Sequence, residues 1–416
     1  MTTVAIIGSK GIPARYGGFE TLAESLVKHL TGKHEFIVYC SAPAYSSHRS
    51  GYLGASLVYL PLNANGVQSI PYDIWSMIDA SRKADVLLVL GVSGCIFLPI
   101  LKLFSKKAVI VHLDGIDWQR RKWGWLARNF LRLSESIAAR FADKLIADNT
   151  GIQEYIYKHH GKDSEFIAYG GDNAVSDLPV KPDNNLSVVS LHKTADDSGE
   201  SVVAPDVGEY VVAVCRIEPE NNIHLILDAF SQLESLSLVF VGNWQANEYG
   251  RKLRKKYANV KNIRMVDPVY QPEKLFNIRN NALLYVHGHS AGGTNPSLVE
   301  AMYQGLPVLA YDVIFNRATT HNKALYFRNA DELLSQLRNI DQDQLRKMSD
   351  TMLEISRDHY TWSIICDDYH QLIEASAGER RQPPHDNPDG LPERRPAKEA
   401  VDHGTGEAGS GRTLDN

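Results

Sequence analysis

The sequence predicts an α/β protein of two domains, its strands and helices alternating as in a parallel, doubly wound sheet. Three observations carry this. The chain has 416 residues, more than one hydrophobic core ordinarily serves. Short apolar runs alternate with helical patterns along most of it, as strands joined by crossover helices do. Loops leaving these runs are rich in glycine and polar residues, and in such sheets ligands bind where the carboxyl ends of the strands open into loops.

In the first half the predicted strands are Val4–Ile7, Phe36–Tyr39, Leu57–Tyr59, Val86–Leu90, Ala108–His112 and Lys144–Ala147, with helices between them at Glu20–Leu30 and Trp125–Phe141. The uncharged run from Val86 to Leu101 is broken by Gly91, Ser93, Gly94 and Pro99. It falls short of the roughly 20 residues a spanning helix needs, so a strand, a turn and a helix start describe it better. The chain opens directly on a strand with no basic leader or cleavage site, which points to the cytoplasm.

The first strand ends in Gly8-Ser-Lys-Gly-Ile-Pro-Ala-Arg15-Tyr-Gly17-Gly18-Phe-Glu20. Its spacing is not that of a dinucleotide fingerprint. Gly17 and Gly18 precede a helix and form either a ligand loop or a plain tight turn. The strand Ala108–His112 leads into His112-Leu-Asp114-Gly-Ile-Asp117-Trp118. Carboxylates leaving a buried strand can accept a proton from a ligand hydroxyl or hold ligand hydroxyls, and Asp114 is the first choice for that role. Asp117 is either a second such group or a helix cap, and His112 either a ligand or a satisfied core histidine. Arg120-Arg-Lys122-Trp-Gly-Trp125 mixes cations with indoles, with Lys102, Lys106 and Lys107 not far before it. That is the pattern of a membrane-surface patch, or of a solvated basic loop.

Residues 176–206 are polar and aperiodic and read as linker and exposed loop. Beyond them Tyr210-Val-Val-Ala-Val-Cys215 is a buried strand ending at Arg216, and further strands are predicted at Leu236–Val241, Ile263–Val266 and Leu283–Val286. Tyr270 follows Ile263–Val266 and either contacts a ligand or packs as an aromatic. The last strand enters His287-Gly-His-Ser-Ala-Gly-Gly-Thr-Asn-Pro296 and then a helix bearing Glu300. Two glycines let the backbone approach a ligand, and the positive end of the following helix favours an anion. Helices are predicted at Asp341–Tyr360 and Thr361–Ser376; from Gly378 on, the composition cannot bury a core. The resulting division is 1–170, a linker 171–207, 208–356, a C-terminal helix 357–377 and a tail 378–416.

A formal charge of −5 gives no nucleic-acid footprint. Cys40, Cys95, Cys215 and Cys366 lack metal or disulfide spacing. The D-x-D motif Asp341-Gln-Asp343 sits at a helix start, where aspartate is an ordinary cap, so no metal is expected.

Gly292-Gly293-Thr294-Asn295-Pro296-Ser297-Leu-Val-Glu300-Ala-Met302 followed by Gly305-Leu-Pro-Val308 resembles the nucleotide-sugar signature of retaining glycosyltransferases of the GT-B type, family 4. The resemblance implies two Rossmann-like domains facing across a cleft and a C-terminal helix crossing back to the first. It also implies a nucleotide-diphosphate sugar donor with no other cofactor, held by Glu300 and the segment Gly293–Ser297, with Arg216 neutralising the diphosphate. The sequence departs from the pattern twice: Gly292 stands where the family has a first Glu, and Asn221 where it has a Lys, a charge that Arg317 or Lys323 could replace. Gly8–Pro13, Tyr16–Glu20, Asp114–Trp118 and His287–Ser290 are similar to a bacterial rhamnosyltransferase-type subfamily of surface-polysaccharide assembly. That implies dTDP-rhamnose as donor and a lipid-linked saccharide acceptor at the inner face of the plasma membrane. The missing Glu and Lys leave open a binding subunit without turnover or a hexosyltransferase using UDP-glucose or GDP-mannose. A nucleotide-sugar epimerase fits the signature less well.

Overall fold

The computed structural model describes residues 1–15, 17–113, 115–119, 123–174 and 209–381. Its first sheet grows from β1 (Thr2–Ile7), where Val4, Ala5, Ile6 and Ile7 have no exposed surface. Continuous burial is what a parallel strand covered by helices on both faces requires. α1 (Gly18–Leu30) leads to β2 (His34–Ser41), and a short antiparallel pair, β3 (Gly51–Tyr52) with β4 (Ala55–Leu60), closes that edge. α2 (Ser69–Lys83) crosses to the other side of β1. There β5 (Val86–Leu90), α3 (Leu98–Phe104), β6 (Ala108–Leu113), α4 (Trp125–Phe141), β7 (Lys144–Ala147), α5 (Thr150–His160) and β8 (Glu165–Phe166) follow in turn. The strand order is β3-β4-β2-β1-β5-β6-β7-β8, so the winding reverses between β1 and β5.

The second sheet repeats the plan. β9 (Tyr210–Val214), α6 (Ile223–Phe230), β10 (Ser237–Val241), α7 (Glu248–Lys256) and β11 (Ile263–Val266) run to one edge. α8 (Pro272–Asn280) carries the chain back to β12 (Leu284–His287), followed by α9 (Pro296–Tyr303), β13 (Val308–Tyr311), α10 (Ile314–Thr319), β14 (Leu325–Phe327) and α11 (Ala330–Asn339). All six strands are parallel in the order β11-β10-β9-β12-β13-β14, with the reversal between β9 and β12. Arg216 follows β9 and the glycine loop follows β12. Both loops therefore leave the two strands that flank the point where such sheets bind ligands.

α12 (Gln342–His359) packs on α9 and β13, and α13 (Trp362–Arg381) crosses to the first sheet against α1, β1, β5 and β6. The outgoing and returning crossings are tied together: Gly171 N donates to Tyr360 O at 2.7 Å, Trp362 N to Asp172 Oδ1 at 2.8 Å and Trp362 Nε1 to Asn173 Oδ1 at 3.1 Å. A β-carbon on Gly170 would lie 2.6 Å from the Trp362 indole, so the ring needs that glycine to seat.

The predicted strands recur within a residue or two, which is the usual scatter of strand ends. β3, β8, β13 and β14 are not among the predicted strands; they are short and lack enough alternation to stand out. α13 continues through Gly378 to Arg381, past the point at which the sequence reading ends it. The predicted linker from residue 175 to 207 and the tail from 382 lie outside the described residues.

Candidate active site between two glycine loops

The loop after β1 is held from below by α1. Glu20 Oε1 accepts from Lys10 N at 2.9 Å and Glu24 Oε2 from Ala14 N at 2.5 Å, so carboxylates one turn apart brace the segment that ends at Gly17. A β-carbon on Gly17 would meet Glu20 Oε2, and one on Gly18 would lie 3.7 Å from Pro296 Cγ. The two predicted glycines thus bring the first loop against the start of α9. Other strand ends of the first sheet meet the same loop. Gly115 packs on Gly292, Asp148 lies against Gly293, and the Thr294 hydroxyl donates to the Asp148 carbonyl.

Gly292 has φ of 119°, a conformation L side chains rarely adopt, although a β-carbon there would meet nothing within 4 Å. Backbone strain rather than crowding therefore opposes a Glu at this position. Gly293 is the reverse case: its β-carbon would come within 1.7 Å of Asp148 Oδ1. Asn295 caps α9, accepting from Ser297 N at 3.1 Å and Ser297 Oγ at 2.8 Å, while Ser297 Oγ also accepts from Tyr285 OH at 3.0 Å. The side chains of Thr294, Asn295 and Ser297 are thus engaged within the protein, with Pro296 as the first helical residue.

Glu300 lies one turn into α9 and is not free. Arg279 Nη2 donates to Glu300 Oε2 at 2.6 Å. The Arg279 side chain is 2% exposed and Glu300 17%. Arg279 Nε has no partner among the described residues. A buried guanidinium needs a counter-ion, so Glu300 neutralises Arg279 from one oxygen and keeps a partly exposed carboxylate edge. Sequence reading missed Arg279, which sits at an unremarkable position near the end of α8.

Arg216 is exposed, and its guanidinium has no hydrogen-bond or ion-pair partner among the described residues. Glu218 and Glu220, two and four residues further on, do not pair with it. Asn221 is buried and donates to the Arg216 carbonyl at 2.7 Å, stapling the loop rather than supplying charge. Arg317 does not supply it either: Arg317 Nε donates to Asp312 Oδ1 at 2.5 Å, and the guanidinium lies over the Tyr326 ring. Lys323 is exposed. Tyr270 is 60% exposed beyond β11 and so is not a core aromatic.

His112 is buried at the end of β6. Its Nδ1 lies 2.7 Å from Tyr369 OH on α13, whereas Nε2 has no partner among the described residues. We assign the tautomer in which the phenol donates and the ring proton sits on Nε2. Burial lowers the His112 pKa to about 3, so the imidazole is neutral at working pH. His287, stacked on His289 at 4.2 Å, is likewise pushed down to about 3 by burial. Asp114, the Asp117 side chain and Arg120–Lys122 lie outside the described residues.

Two doubly wound sheets whose strand-end loops meet, and a C-terminal helix crossing back to the first, define the GT-B class of fold. Residues 197–354 match the family described as glycosyl transferases group 1, and residues 1–172 match a domain of unknown function, DUF1972. The chain carries a glycosyltransferase group 1 domain and is a glycosyltransferase. No curated protein matches it. Among solved structures it is similar to sucrose-phosphate synthase from Thermosynechococcus elongatus, at 12% identity and TM-score 0.69 over 91% of this chain and 100% of that one. HepE from Anabaena in complex with UDP-glucose is similar at 13% identity and TM-score 0.64 over 91% and 100%. TarM matches at 14% identity and TM-score 0.51 over 73% and 58%.

Asp341 caps α12 in a capping box, with Oδ1 accepting from Gln344 N at 2.8 Å and the Gln344 side chain accepting from Asp341 N at 3.2 Å. The first carboxylate of the D-x-D motif is therefore spent on a helix start. Transfer should persist in excess chelator; activity that disappears there and returns with manganese would contradict this.

Proposed function

We propose that the protein is a retaining glycosyltransferase that moves rhamnose from dTDP-rhamnose to a lipid-linked saccharide in bacterial surface-polysaccharide synthesis. The observation that carries the reading is that Arg216, without a partner among the described residues, follows β9 and a half-engaged Glu300 stands behind the β12 loop, the two strands that flank one reversal point. In this reading Arg216 takes the diphosphate charge and Glu300 the ribose, with backbone at Gly293–Asn295 close to the phosphates. His112 Nε2–H, without a partner among the described residues, is assigned to a sugar hydroxyl. Gly17, Gly18, Asp117 and Tyr270 complete the assignment as contacts to acceptor, sugar and base.

Retention follows from front-side exchange. The bond from the anomeric carbon to the diphosphate oxygen breaks while the acceptor oxygen bonds on the same face, and the acceptor proton passes to the departing diphosphate. Asp114 is assigned to the acceptor hydroxyl. Positioning and stabilisation of the leaving group then supply the rate.

The donor assignment rests on Gly292. A carboxylate to hold donor hydroxyls is missing there, and the left-handed backbone opposes adding one, which suits a 6-deoxyhexose. The HepE complex with UDP-glucose favours a second reading, UDP-glucose as donor. A competition assay separates them: wild type should turn over dTDP-rhamnose in preference to UDP-glucose and GDP-mannose. Preference for UDP-glucose would replace the donor while leaving the reaction class in place.

A further inference from the structure

Large apolar side chains usually face solvent singly, and a contiguous patch of them marks a contact surface. Ile100, Leu103 and Phe104 of α3 and Trp125, Leu126 and Leu133 of α4 are all more than half exposed, Leu103 at 85% and Leu126 at 76%. The two helices pack side by side. The flank of α4 that meets α3 is fixed by Ser134, whose Oγ accepts from Ile96 N at 3.0 Å just ahead of α3. Leu126, Phe130, Leu133 and Ile137 fall on that flank at steps of three and four residues, so the exposed leucines adjoin α3 in one strip.

Cations border the strip. Arg140 stands seven residues beyond Leu133 on the same flank, and Lys106 follows α3; both are exposed and without an ion-pair partner among the described residues. The sequence had grouped Lys102, Lys106 and Lys107. Only Lys106 is available, because Lys102 pairs with Asp143 at 2.5 Å and Lys107 with Asp85 at 3.4 Å. Beside Phe104 a cavity of about 280 Å³ opens between Ser105, Lys106 and Lys107, with Asp85 in its wall. Apolar area rimmed by cations matches the boundary of an anionic bilayer, where acyl chains meet phosphate headgroups. Among the described residues no helix is long and apolar enough to cross a membrane.

We propose that the α3–α4 strip is a membrane-docking face for a bilayer containing anionic lipid, with Leu103, Phe104 and Leu126 entering the acyl region and Lys106 and Arg140 meeting headgroups. This deepens the proposed lipid-linked acceptor and rests on it for purpose, but binding alone reads it out. Flotation with vesicles of phosphatidylglycerol and phosphatidylethanolamine should carry the wild-type protein. The combined variant Leu103→Ser, Phe104→Ser, Leu126→Ser should bind on the order of a hundredfold more weakly. Its melting temperature and its nucleotide-induced melting shift should stay unchanged. A second variant, Lys106→Glu with Arg140→Glu, should lose binding to these vesicles but not to phosphatidylcholine alone, which keeps the test open if the first variant misfolds. Equal flotation of both variants and wild type would overturn the proposal. So would a wild-type dimer that the apolar variant converts to monomer while neither form binds vesicles, since the strip would then pair two copies. Vesicle binding without transfer to any lipid-linked acceptor leaves the docking face standing and removes the acceptor reading.

Discussion

Glu300→Ala should lower stability and donor affinity together, and by large amounts. Removing the carboxylate strands the Arg279 guanidinium, 2% exposed, without its counter-ion. Breaking a buried pair from one side costs about 3–5 kcal/mol, read here as a fall in melting temperature of roughly ten degrees. The variant is therefore not the clean binding probe that the sequence suggests. Glu300→Gln keeps an acceptor for Arg279 Nη2 but not its counter-charge and should melt between Glu300→Ala and wild type, while donor binding weakens about ten- to a hundredfold through loss of charge-assisted bonds to the ribose. Arg279→Met combined with Glu300→Ala removes both charges and should recover stability without recovering affinity. A Glu300→Ala protein that melts and binds donor like wild type would show that Glu300 does neither job.

Arg216→Ala should do the opposite: a fall in kcat of about 10²–10³-fold with an unchanged melting temperature. Its side chain is exposed and supports nothing among the described residues, so truncation costs no packing. Loss of a donor aimed at developing charge carries a penalty of that size. Arg216→Lys should restore part of the rate, because a lysine keeps the charge but not the two-pronged geometry. A melting temperature that falls in step with activity would make Arg216 a structural residue, and full activity would move the diphosphate contact elsewhere, with Lys323 the next cation to test.

Much of the scaffold was legible because period and burial are local. Val86–Leu90 is apolar at every position, as a doubly covered parallel strand must be, and Asp341 is followed three residues later by Gln344 in the spacing of a capping box. The glycine loop and Arg216 announce themselves by where they fall after strands. A motif does not say which side chains the fold has already used. Thr294 looks like a ligand residue, yet its hydroxyl reaches the Asp148 carbonyl in the other sheet, 146 positions away. Asn221 looks like a lost charge and is a loop staple.

By itself, then, the sequence determined the alternation of strands and helices, the two sheets, and the loops that would carry chemistry, since hydrophobic period, glycine and proline act over a few residues. The tertiary structure decided the rest. Arg279 and Glu300 are 21 residues apart and His112 and Tyr369 are 257 apart, and nothing local in either member marks its partner. The exposed strip of α3 and α4 likewise exists only once two helices lie side by side, because an apolar residue in a helix reads as core until the packing shows which flank was left uncovered.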